Sequence, residues 1–128
     1  MRAGNYAVWR EREYGCVSVD KPFVRLLWRG GEPDEGGFER DHRGVWSRLV
    51  DRSEVSRLQS VETWAVWQGR RVEVVELDGG RAWIQQWQWP VPDHPAARAI
   101  ENGLWGAKVP VEELTEVVET VTEVPIAL

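Results

Sequence analysis

The sequence predicts a mainly β protein made of two tandem small barrels packed as one unit, residues 1–61 and 62–128. Three observations predict it. The chain contains itself twice, its apolar residues fall in short β-branched and aromatic runs, and glycine-bearing turns separate those runs. At an offset of 58, Tyr6-Ala7-Val8-Trp9 returns as Trp64-Ala65-Val66-Trp67, and Arg12, Val17 and Asp20 meet Arg70, Val75 and Asp78. At an offset of 59, Gly44-Val45-Trp46 returns as Gly103-Leu104-Trp105, and Val50 and Glu54 meet Val109 and Glu113. Over residues 6–26 and 44–58 these make six plus four identities, ten in 36 positions. No Gly or Pro interrupts residues 58–66, so no linker separates the copies.

The elements follow in order. Residues 6–9, 14–19 and 24–28 are three short strand candidates, and their copies are 64–67, 72–77 and 81–87. Gln68-Gly69-Arg70 and Asp78-Gly79-Gly80 are hairpin turns, because glycine takes positive φ without a steric penalty. A loop comes next, followed by a fourth strand at 45–50, or 104–109 in the second copy. Then a short polar turn stands at 51–54 or 110–113, and a fifth extended segment at 55–61 or 114–121. The last of these also fits helical spacing, but its three Val and two Thr among eight residues favour a strand. Strand, strand, strand, strand, helical turn, strand is the order of an SH3-like barrel. The copies diverge most in the loop before the fourth strand. Copy one has a Gly-rich acidic tip at 30–37. Copy two has a Pro-rich segment in which Asp93 caps a short helix, with Pro95 in its first turn and Asn102-Gly103 at its end.

Composition excludes several function classes. The net charge of −5 opposes nonspecific nucleic-acid binding, which needs a basic surface. Cys16 is the single cysteine, so neither a disulfide framework within the chain nor a multi-cysteine metal site is available. No run of 18 apolar residues predicts a membrane span, and the first residues lack the apolar core of a signal peptide, so a soluble cytoplasmic protein is expected. His42 and His94 each follow an Asp, yet both fall in the variable loops and read as exposed loop histidines. Aligned with Val74 on a strand, Cys16 reads as a small buried hydrophobe. Nothing in the sequence calls for a cofactor, a metal or an enzyme.

The charge and the tryptophans do single out copy two. Residues 1–61 hold 11 Lys and Arg against 10 Asp and Glu, net +1, whereas residues 62–128 hold 5 against 11, net −6. Of the nine Trp, Trp9, Trp46, Trp64, Trp67 and Trp105 belong to the duplicated scaffold and read as packing. Alternation along 82–89 puts Ala82, Ile84, Gln86 and Gln88 on one face and Trp83, Gln85, Trp87 and Trp89 on the other. The first face matches Val24 and Leu26 of copy one and reads as the interior. The second is either a binding surface or the face through which the two repeats pack. Downstream, residues 112–123 carry five carboxylates and no base. Among them Glu112, Glu113, Glu116 and Glu119 are the candidates for engaging a basic partner.

Two Ala-Val-Trp starts (7–9 and 65–67), the hairpin from Gln68 to Val75, and two Gly-x-Trp plus Val-x-x-x-Glu blocks (44–54 and 103–113) cover nearly the whole chain. In this pattern the chain resembles the small immunity proteins of bacterial polymorphic toxin systems. The resemblance carries over no site residues. It implies a cytoplasmic, non-enzymatic protein that neutralises one cognate protein toxin by capping its active site. The alternative from the residues themselves is a peptide- or small-ligand-binding module whose aromatic face stacks on proline-rich peptide or sugar.

Overall fold

The computed structural model describes residues 1–88 and 90–127, and it is mainly β. Its strands are β1 (Gly4–Trp9), β2 (Arg12–Val17), β3 (Phe23–Arg29), β4 (Glu39–Arg40), β5 (Val45–Asp51), β6 (Val55–Trp67), β7 (Arg70–Asp78), β8 (Arg81–Trp87), β9 (Ala97–Glu101), β10 (Leu104–Pro110) and β11 (Thr115–Val124). They form one open antiparallel sheet in the order β4-β5-β3-β2-β1-β6-β7-β8-β10-β9, with β11 pairing β6. The polar turns after β5 and β10 are single 3₁₀ turns, Arg52–Glu54 and Val111–Glu113. No helix among the described residues is long and apolar enough to cross a membrane.

The missing linker has a simple structural reason. The last strand of copy one and the first of copy two are the same strand, the 13-residue β6. The chain divides into two compact units. One is Gly4–Val61 with Val121–Leu128, and the other is Met1–Ala3 with Glu62–Thr120. The units therefore differ from a single cut between 61 and 62, because each end of the chain belongs with the other copy.

The first unit is built on Trp9, Tyr14, Cys16, Val24, Leu26, Val50, Val55 and Leu58, all buried, with Trp28 and Phe38 packed against them. Phe38 stacks on Tyr14 at 5.6 Å, and Trp28 meets the same ring edge-on at 5.5 Å. The turn from β1 to β2 has both central residues at positive φ, Arg10 at 50° and Glu11 at 66°. The matching turn of copy two uses Gln68 and Gly69. Copy one makes this turn without a glycine, and Arg10 is held there by Glu35 at 2.9 Å and by the Trp9 ring at 4.3 Å. The acidic 30–37 loop also lies against two further arginines: Asp34 pairs with Arg12 at 3.1 Å, and Arg48 donates to the Gly36 carbonyl.

The second unit is built on Ala65, Trp67, Val72, Val74, Ala82, Ile84, Trp105, Ala107 and Val109. Here the structure corrects the expected short helix: residues 97–101 are β9, antiparallel to β10. The six residues between Pro95 and Asn102 are too few to nucleate a stable helix, whereas as a strand residues 97–101 satisfy the backbone groups of β10. Asn102-Gly103 is thus a hairpin turn rather than a helix end, with Gly103 at φ 86°. The loop before the fourth strand of copy one holds a matching short strand, β4, which pairs β5 across the turn at Asp41–Gly44. Residues 115–124 are strand, so β11 runs beyond the 114–121 segment read from its valines and threonines.

Candidate functional site

Period-2 alternation places Ala82, Ile84 and the outward residues of β8, but of the other two residues expected inside, Gln86 is only half-buried and Gln88 is exposed beyond the strand's end. Ala82 and Ile84 are fully buried, Trp83 and Gln85 are half-buried, and Trp87 is 66% exposed. Trp89, the fourth residue expected on this face, lies outside the described residues. Trp83 is half-buried because Gly106 of β10 makes room for it. A Cβ at Gly106 would stand 3.0 Å from Trp83 Cζ2, 2.7 Å from Ile100 Cδ1 and 3.1 Å from the Ile84 carbonyl. Since that last neighbour is backbone, it does not yield. Gly106→Val is expected to cost about 1–3 kcal/mol through overpacking. Urea titration checks this: the midpoint falls while the m-value stays constant.

The pairing of β6, β7, β8 and β10 sets a row across the outer face of the second unit. Trp64 stands opposite Glu73, Glu73 opposite Gln85, and Gln85 opposite Gly106. Two residues further along β8 and β7 are Trp87 and Arg71. Together Trp64, Arg71, Glu73, Gln85, Gln86 and Trp87 line an open groove of about 320 Å³, at the lower end of small-ligand sites. The Arg71 guanidinium lies over Trp64 at 4.8 Å, and Trp64 Nε1 donates to Glu62 at 2.7 Å. Gln86 donates through Nε2 to the Arg71 carbonyl at 2.7 Å, which ties β8 to β7 at the groove wall. Glu73 and Gln85 have no side-chain hydrogen-bond or ion-pair partner among the described residues.

Trp64, Arg71, Glu73 and Gln86 were not among the residues singled out from the sequence. Trp64 reads there as scaffold because both copies keep an aromatic at that position. Yet Trp67 and Ala65 are buried on β6, so alternation puts Trp64 on the other face.

The expected acidic set divides. Glu112, Glu113, Glu116 and Glu119 are all exposed. Glu113, however, accepts from Trp67 Nε1 at 3.2 Å, and Glu119 accepts from the backbone N–H of Arg2. These carboxylates sit on the second 3₁₀ turn and on β11, and β6 and β7 lie between β11 and β8 in the sheet. Half of the set is thereby engaged inside the fold, and the set is not one continuous surface with Trp87.

The other chemistry-bearing side chains are structural in place. Asp41 accepts from the backbone N–H groups of Val45 (3.0 Å) and Arg43 (2.8 Å), and the Val45 bond is the main cause holding its carboxyl below the usual range. It closes a turn rather than orienting His42. His94 packs edge-on against Trp67 at 4.8 Å, and its Nδ1 accepts from the Ala96 N–H at 3.1 Å. Burial pushes the Cys16 thiol up to about 12, which leaves it without thiolate character at neutral pH.

No curated protein and no solved structure matches the chain. A family model matches residues 1–125, nearly the full length. The chain belongs to the family described as "Uncharacterised conserved protein UCP033725".

Proposed function

We propose that this chain is a cytoplasmic, non-enzymatic binding protein of two SH3-like repeats, and that it neutralises a cognate bacterial toxin by masking its active site. The observation that carries the reading is Trp87, an indole 66% exposed at the last residue of β8, opposite Leu104 of β10. Covering so large an exposed apolar surface is favourable, and tryptophan is among the residue types most enriched among binding anchors. The net charge of −6 over residues 62–128 supports a basic partner, since it steers encounter over long range.

Trp87→Ala tests this. The binding partner to try is the C-terminal domain of a secreted protein encoded beside this chain's reading frame. The expected result is a tight complex that relieves the toxicity of that domain. The substitution weakens it by about 2 kcal/mol or more and leaves the thermal midpoint of the free chain nearly unchanged. A complex indifferent to Trp87→Ala, or none at all, overturns the reading. The groove beside Trp87 favours a second reading, a peptide- or small-ligand-binding module. That reading predicts a saturable tryptophan fluorescence response to small molecules alone.

A further inference from the structure

We infer that the groove between Trp64 and Trp87 is the seat of an arginine side chain of a partner protein, its guanidinium stacked on Trp87 and paired with the Glu73 carboxylate. This rests on the proposed binding role and specifies its chemistry.

The molecule covers its own indoles, the buried Trp9 and the half-buried Trp28 and Trp64, with guanidinium groups. Arg10 and Arg48 lie over Trp9 at 4.3 and 4.7 Å, Arg12 over Trp28 at 5.4 Å, and Arg71 over Trp64 at 4.8 Å. Among the described residues Trp87 carries no such cation, although it is the most exposed of their tryptophans. A guanidinium gains from an indole face through the ring quadrupole, and gains more as water is excluded. Beside this bare ring stand the unpartnered Glu73 carboxylate and the Gln85 amide, both acceptors. Glu73 is diagonal to Trp87 across the β7–β8 pair, within reach of one planar head group.

Other occupants fit less well. An anion would be drawn to Arg71, but that guanidinium is already laid on Trp64, and the surrounding copy is acidic. Lysine offers a compact ammonium that pairs with Glu73 but does not present a flat face to Trp87. Arginine uses both features together. The volume of about 320 Å³ suits one long side chain better than a helix or a strand.

The test uses the full chain and three capped Gly-Gly-X-Gly-Gly peptides in which X is arginine, lysine or citrulline. Citrulline keeps the shape of arginine and lacks its charge. Binding is followed by NMR of the indole and backbone N–H groups. The arginine peptide is expected to shift Trp87 and Glu73 saturably, with citrulline about tenfold weaker or worse and lysine between them. Glu73→Gln and Trp87→Ala each weaken the arginine peptide by about tenfold, and neither changes the thermal midpoint. Equal affinity for arginine and citrulline overturns the inference, as does a response that leaves Trp87 and Glu73 unmoved. Against the partner protein the two proposals separate. If Trp87→Ala abolishes the complex and Glu73→Gln spares it, the binding role stands and the arginine seat falls. If both variants bind like the parent, the binding role falls as well.

Discussion

Replacing Trp67 with alanine is expected to cost the protein about 3–5 kcal/mol, the usual range for removing a large aromatic from a packed core. Trp67 is fully buried. Its ring meets Trp105 at 5.8 Å and His94 at 4.8 Å, so two loops and two strands of the second unit converge on one side chain. Its Nε1 donates to Glu113 at 3.2 Å, fastening the 3₁₀ turn Val111–Glu113 to the core. Alanine therefore opens a cavity and also leaves that carboxylate without its donor. At roughly 3–5 °C per kcal/mol for a chain of this size, the thermal midpoint falls by about 9–25 °C. Trp67→Phe separates the two effects. It keeps most of the ring and loses only the N–H donor, so it should cost about 1–2 kcal/mol, the range of a single hydrogen bond plus a small volume change. A Trp67→Ala chain with an unchanged midpoint would mean that the second core is not organised around this residue.

The same contact explains why duplicated residues are poor guides to duplicated roles. Glu113 is the copy of Glu54, and the two do different work. In copy one Asp51 caps the 3₁₀ turn: its side chain accepts from Ser53 N–H at 2.9 Å, and its own N–H donates to Glu54 at 3.1 Å. In copy two the cap position is Pro110, which has no N–H to give and no side-chain cap. Glu113 is thus released from the cap and turns to Trp67. Counting Glu113 as a free acidic anchor overlooked a tertiary partner, though the Asp51-to-Pro110 difference was there to be read.

Alternation was the most legible feature of the site. A side-chain period of two needs no tertiary information, and it placed Ala82 and Ile84 inside and Trp87 outside. The same rule applied to β6 would have moved Trp64 from the scaffold to the groove. By contrast, β9 was ambiguous in principle. Asn-Gly ends helices and turns hairpins alike, and the choice here falls to backbone groups on β10 that a strand can satisfy. Least legible was the exchange of chain ends between the units. Nothing local to residues 121–127 says which copy they will join, because the contacts that hold them come from residues some 70 positions away.

Arg52 is the chief of those contacts, and its replacement should have the second large effect. Only 5% exposed, it spreads its guanidinium over four backbone carbonyls: Val19 and Lys21 (3.1 Å) on one side, Pro125 and Ile126 (2.5 Å) on the other. No carboxylate pairs with it among the described residues, so the buried charge is balanced by carbonyl dipoles alone. Its copy-two counterpart is Val111, which packs against the second core. The arginine appears where a tail must be held and an apolar residue where none is. Nearby, Glu123 receives Arg57 at 2.6 Å and Gln59 at 2.7 Å, but the Arg57 pair is solvent-exposed and contributes little by comparison. Arg52→Met keeps the volume and removes every donor. It is expected to lose about 3 kcal/mol, less than four charged hydrogen bonds in sum, because releasing the tail lets two of the carbonyls reach water. Amide exchange at Val121–Ile126 should then accelerate far more than exchange in β7 or β8. Arg52→Lys rescues only part, since one ammonium cannot span the fork. Ending the chain after Thr120 supplies the decisive comparison. If Arg52 acts by holding the tail, the truncation and Arg52→Met are strongly non-additive, the second change adding little to the first. Full additivity would show that Arg52 stabilises the Val19–Lys21 turn independently of the chain end.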